Sequence, residues 1–265
     1  MTELSAEAAR AVLHWYLEMG VDEAVGDVPT NQFAPPPSPP AAREKKAAPA
    51  RPVFRPAADA VIPADEAIAA AEAAATAAES HEALEAAVGA FEGCPLKAGA
   101  SKTVFADGVV GAPLLIIGEA PGRDEDRIGK PFVGRAGQLL DRMLAAIYMS
   151  REENVLISNV VYWRPPGNRT PTQTEMAICR PFVDRLIDLT APRAIALAGG
   201  AALQAMLGVT GIMRARGKWR EIETASGGRY KTLPMFHPAF LLRQPANKRL
   251  AWADLQALEA QLIER

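Results

Sequence analysis

LLIIGEAPGRDED, residues 114–126, decides the fold. Four apolar residues run straight into Gly118, Glu119, Ala120, Pro121 and Gly122. A helix does not tolerate that break, because glycine costs backbone entropy and proline removes a donor and clashes with the preceding turn. A buried strand that ends abruptly in a loop does. Three more short apolar runs follow the same pattern, at 154–158, 194–198 and 232–236. Helical periodicity lies between them, at 136–148, 173–189, 200–207 and 248–263. Pro181 inside the second of these is expected to bend or split it. Near-continuous apolar strands alternating with helices predict an α/β fold, a mostly parallel sheet covered on both faces.

Ligands of open parallel sheets bind beyond the carboxyl ends of the strands. Glu119 follows the first strand, Asn159 the second, Gly199 and Gly200 the third, and His237 the fourth. A carboxylate, an amide and an imidazole are thus expected at corresponding strand ends, although the first and last are far apart in sequence. Each alone has an ordinary reading: a loop acid, a turn asparagine, a satisfied core histidine. Their common position is what singles them out.

The rest of the chain is read around this region. Residues 1–28 contain a short amphipathic helical pattern, with Leu4, Val12, Trp15, Tyr16 and Met19 near helical spacing. Residues 29–63 hold ten of the 22 prolines and read as an extended linker. Residues 64–90 read as an Ala-rich helix, and 91–265 as the main domain. Residues 1–90 carry 6 Lys+Arg against 14 Asp+Glu, whereas 91–265 carry 23 against 17. The basic balance of the second part suits a nucleic-acid partner but is weak evidence alone. No apolar run approaches the roughly 20 residues of a membrane span, and the N-terminus lacks the pattern of a secretory signal. With only two cysteines, Cys94 and Cys179, a disulfide scaffold is excluded, and a cytoplasmic location is expected.

From about Phe91 to Leu262 the chain resembles the uracil-DNA glycosylase superfamily, and within it family four. The motifs are GEAPGRDEDRIGKPFVGRAGQLLDRML at 118–144, SNVVYWRPPGNRTPT at 158–172 and HPAFLLR at 237–243, with TVFADG at 103–108 as lead-in. The resemblance implies a three-layer α/β/α domain around a four-stranded sheet. It implies excision of flipped-out uracil from DNA by hydrolysis of the N-glycosidic bond, in base excision repair. The alternative is a weakly active or inactive DNA-binding homologue. Glu119 and His237 match catalytic positions. Family one has an aspartate where this chain has Ala120, which leaves Glu119 to orient the water. Gly118, Ala120, Gly122, Phe132 and Asn159 match the base pocket: Phe132 as stacking face, Asn159 as reader of the uracil edge. Arg164, Arg169, Leu241 and Arg243 match the DNA-contacting surface, with Leu241, Leu242 and Arg243 where the superfamily inserts a wedge. Uracil-containing DNA is the implied partner. A protein partner for the N-terminal helix and a monomeric state are also expected.

The chain departs from family four at its cofactor. That family holds a [4Fe-4S] cluster on four cysteines. Here Cys94 and Cys179 match two positions, while Phe91 and Trp163 stand at the other two. The expectation is no cofactor, with the residual metal positions Cys94 and Cys179 empty of cluster and Phe91 and Trp163 as an apolar plug. A cross-linking branch of the superfamily carries a reactive histidine near RPPGNRTPT; this chain has none there, so covalent capture of DNA is not expected. The run Asp124, Glu125, Asp126 is read as solvated or capping rather than as a metal site.

Overall fold

The computed structural model describes residues 63–263. The expected N-terminal helical segment, and the Pro-rich linker apart from Pro63, lie outside these residues. In chain order the elements are helices α1 (Ala64–Ala77) and α2 (His81–Ala90), strands β1 (Ala106–Gly108) and β2 (Leu114–Gly118), α3 (Arg123–Ile128), α4 (Arg135–Ala145), β3 (Val155–Asn159), α5 (Gln173–Thr190), β4 (Ala194–Ala198), α6 (Gly200–Leu207), α7 (Ile212–Ala215), β5 (Arg220–Glu223), β6 (Arg229–Met235), α8 (Pro238–Arg243) and α9 (Lys248–Ile263).

The sheet order is β1-β3-β2-β4-β6-β5. The inner four strands are parallel and are the four expected from sequence. The strand count is corrected from four to six, because β1 and β5 add short antiparallel edges. The chain leaves β2 for β3 on one side and crosses back to β4 on the other. That reversal opens a crevice at the carboxyl ends of β2 and β4, the place where open α/β sheets bind ligands.

Every residue of β2, β3 and β4 is buried. Alternate side chains serve the two faces. Leu115, Ile117, Leu156, Ile195 and Leu197 pack with α1, α2, α5 and α6. Leu114, Ile116, Val155, Ile157 and Leu233 pack with α4, α8 and α9. The result is the expected three-layer arrangement. Each fully buried Leu or Ile contributes about 1.5–3 kcal/mol of transfer free energy, so the sheet interior anchors the strand ends rigidly.

Two helical expectations are corrected. Residues 64–90 form two helices, because Ser80 stops the run and caps the second, its Oγ accepting from Ala83 N–H at 3.1 Å. Pro181 does not split α5, which runs unbroken from Gln173 to Thr190. A reciprocal cap between Thr172 and Glu175 starts this helix, and its buried face spans Met176 to Ile187. Those gains outweigh one lost backbone bond. Among the described residues no helix is long and apolar enough to cross a membrane.

Candidate active site

Gly118 and Asn159 end neighbouring parallel strands and sit side by side in register. The ladder continues past the strands: Val160 N–H donates to Gly118 C=O at 3.0 Å, and Val161 N–H to Glu119 C=O at 3.3 Å. This holds the first loop residue in place. On the other side of the crevice, Gly199 N–H donates to Met235 C=O at 2.9 Å, tying the end of β4 to that of β6 just before His237.

Two glycines are required by space. A Cβ on Gly118 would lie 2.4 Å from Asn159 Oδ1 and 2.5 Å from the Phe132 ring. Gly199 has φ +102°, and its Cβ would press on that of His237 at 3.0 Å. Asn159, Phe132 and His237 therefore converge only because these positions lack side chains.

Asn159 is 1% exposed, and its Oδ1 has no hydrogen-bond partner among the described residues. A buried acceptor left open costs on the order of 1–3 kcal/mol, and it is poised to accept from an N–H of a bound molecule. Phe132 lies beside it, with φ +53°. A left-handed backbone at a bulky residue costs roughly 1–2 kcal/mol. Its ring packs against His237, centroids 5.4 Å apart and planes inclined by 30°.

His237 caps α8, its Nδ1 accepting from Ala239 N–H at 3.1 Å. Nδ1 must then be unprotonated, and the ring proton of the neutral form is on Nε2. Burial, with Arg243 adding to it against a smaller opposing effect of Glu125, lowers the His237 pKa from 6.5 to about 4. At neutral pH the imidazole is a neutral hydrogen-bond donor held in one orientation.

A cavity of about 560 Å³ lies over these strand ends, walled by Glu119, Ala120, Gly122, Gly199, His237 and Arg243 among others. Phe132 and Asn159 do not line it; they are buried beyond it, where the Phe132 ring meets His237. Among the described residues Glu119 is the only carboxylate on its wall. Burial raises the pKa of Glu119, with the Thr170 side chain working the other way. A second groove of about 490 Å³, between α1, α5 and α6, contains none of the candidate residues.

The expected DNA contacts divide. Arg243 lines the cavity mouth and makes no side-chain hydrogen bond or ion pair within the described residues. Arg169 lines it too but forks onto Glu175 at 2.8 and 2.6 Å, fixing the loop before α5. Arg164 donates to Asn168 Oδ1 at 2.6 Å. Leu241 is corrected: at 1% exposure it belongs to the core with Leu255 and Leu258 and is not a wedge. Leu242, 36% exposed, is the leucine that faces outward.

Glu125 was not singled out from sequence as a site residue. Its Oε1 accepts from Val133 and Gly134 N–H at 2.9 Å each, and Oε2 from Gly122 N–H at 3.1 Å. One carboxylate thus joins the loop after β2 to the loop carrying Phe132. Asp126 is likewise occupied, accepting from Ser101 N–H at 2.7 Å. The signal in the sequence was the spacing of Glu125 three residues after Gly122, a helix-capping interval hidden in a run of acids.

A match to the uracil DNA glycosylase superfamily model spans residues 105–256. The chain belongs to that superfamily. It is 36% identical over 165 residues to the type-4 uracil-DNA glycosylase of Thermotoga maritima, covering 62% of this chain and 84% of that protein. It is 41% identical over 152 residues to the type-4 enzyme of Archaeoglobus fulgidus, covering 55% and 75%. A DNA polymerase of Bacillus phage SP01 is 34% identical over 153 residues, 58% of this chain and 16% of the polymerase. The motifs at 118–144, 158–172 and 237–243 supply most of the crevice wall, and Gly199, Gly200, Ile212 and Phe236 complete it.

Cys94 and Cys179 are buried, and the neighbouring Cys94 thiol, with burial, raises the Cys179 pKa well above normal. Phe91 packs edge-on against Phe182 at 5.1 Å. Trp163 is 1% exposed and donates from its indole to Thr103 Oγ1 at 3.1 Å. A four-iron cluster takes four ligands; two thiols, a phenyl ring and an indole do not make such a set.

Proposed function

We propose that this protein is a DNA repair glycosylase that excises uracil, hydrolysing its N-glycosidic bond and leaving an abasic site. The observation that carries this reading is the open Oδ1 acceptor of Asn159, buried beside an aromatic face and a neutral imidazole donor. The type-4 uracil-DNA glycosylases that it is similar to support the same reading.

A base stacked in a duplex is out of reach, so it must be flipped into the crevice. Uracil placed against Phe132 offers N3–H to Asn159 Oδ1 and O4 to its amide N–H. Cytosine offers the opposite pattern at both atoms, and each mismatch leaves a buried group unpaired. His237 Nε2–H is aimed at O2. As the C1′–N1 bond breaks, the electron pair goes to uracil and negative charge gathers on O2. A donor to that oxygen is stronger in the transition state than before it, which lowers the barrier. The sugar is left cationic at C1′. Water adds there and loses a proton, and the departing uracil anion gains one. Glu119 orients this water and balances the positive sugar. Arg243 and Leu242 meet the DNA at the rim, one through phosphate, the other through the gap left in the stack.

The reading places the chemistry in the cytoplasm with the cell's DNA, and it requires no iron-sulfur cluster. Uracil release from single-stranded and U·G oligonucleotides tests it. Wild type should release uracil, while Asn159→Ala and His237→Ala should each lose on the order of 10²-fold or more. Well-folded wild type that binds DNA and releases nothing would replace this reading with a binding protein.

A further inference from the structure

Phe132 holds a backbone conformation, φ +53°, that persists only where its surroundings over-determine it. Those surroundings act from both sides. Behind Phe132, Glu125 accepts from the next two backbone N–H groups. In front, Arg151 donates from Nη1 to Pro131 C=O at 3.0 Å and from Nη2 to Phe132 C=O at 2.9 Å. The guanidinium is itself held by Asp107 on β1, at 2.9 Å, and by Asp141 on α4, at 2.7 and 3.0 Å. It is only 11% exposed and does not line the cavity. Beneath the same carbonyl, a Cβ on Gly137 would come within 1.7 Å of Phe132 O, so no side chain could occupy that position.

We propose that Arg151 is a positioning residue for excision, acting through Phe132. Its planar fork spans two consecutive carbonyls and fixes the angle at which the phenyl ring meets a flipped base. A lysine carries the same charge but cannot present two fixed, parallel donors. The two aspartates set the fork, so the stacking face is wired to β1 and α4 rather than left to a loop. This inference rests on the proposed uracil excision.

The test is single-turnover excision with DNA affinity measured in parallel. Arg151→Met should slow excision on the order of 10²-fold, the cost of a misplaced reacting group, with affinity changed by less than about threefold. In a Phe132→Ala background, where no ring remains to be aimed, the same substitution should add less than about threefold. Arg151→Lys should behave like Arg151→Met. Asp141→Asn, at a half-exposed carboxylate, should give a smaller loss that also disappears with Phe132→Ala. It carries the test if Arg151→Met does not fold. Losses that multiply in full in the Phe132→Ala background, or a lysine variant at the wild-type rate, would overturn the proposal. Wild type without excision would overturn the activity itself, a result distinct from either.

Discussion

Asn159 shows how a single residue trades stability for chemistry. Its buried acceptor is left open in the folded chain, a cost that a ligand N–H would remove. Asn159→Ala should therefore slow uracil release on the order of 10²-fold or more yet unfold no earlier than wild type in a thermal melt. A clear drop in melting temperature would mean the amide is structural. His237 gives a second residue-scale prediction. Because Nδ1 must stay unprotonated to accept from Ala239 N–H and hold the ring in place, the single-turnover rate should fall as pH drops towards about 4. Arg243 helps depress that pKa, so Arg243→Met should move the acid limb to higher pH at saturating DNA. An unmoved limb would assign it to another group, Glu119 first. Folding stability follows the same sign. The unfolded imidazole takes up a proton near 6.5 that the folded one declines until about 4. Its contribution is full above 6.5 and is lost as pH falls through that window.

At the scale of elements, the ends of strands matter more than their middles. Gly118→Ala leaves β2 paired but drives a Cβ into Asn159 and Phe132; excision should fall by more than about 10²-fold while the far-ultraviolet spectrum is kept. Retained activity would show that the crevice yields. The four inner strands and the helices between them were legible, because both faces of a parallel sheet demand unbroken apolar runs. The edges were not. β1 is three residues ending in Gly108, and β5 reads Arg-Glu-Ile-Glu with one buried side chain, so neither carries a periodic signal. The site was half legible for the same reason. Asn159 and His237 stood out by ending strands. Arg151 did not, because a charged residue in SREEN looks solvated until the fold brings Pro131 and Asp107 to it. Leu241 and Leu242 were indistinguishable until α8 turned one inward.

For the whole molecule, the core begins early. Ala67, Ala71, Leu84 and Val88 belong to the same apolar cluster as Leu115 and Ile117. A chain starting at residue 63 should therefore keep wild-type excision, whereas one starting at residue 91 should unfold or melt far lower. Full activity of the shorter chain would show that α1 and α2 are dispensable. The basic balance of residues 91–265 sets how the enzyme finds DNA. Affinity should fall steeply with salt, and Arg243→Met should reduce the slope of log K against log salt by about one.

Phe91, Cys94, Trp163 and Cys179 share one buried apolar cluster, and two thiols are too few to hold a four-iron group. A repair enzyme that folds and excises without such a group would draw on no metal-delivery pathway. Chains produced under iron starvation should match those from rich medium in yield and in excision per mole. Lower yield or lower excision per mole from starved cells would show that a cluster is bound after all.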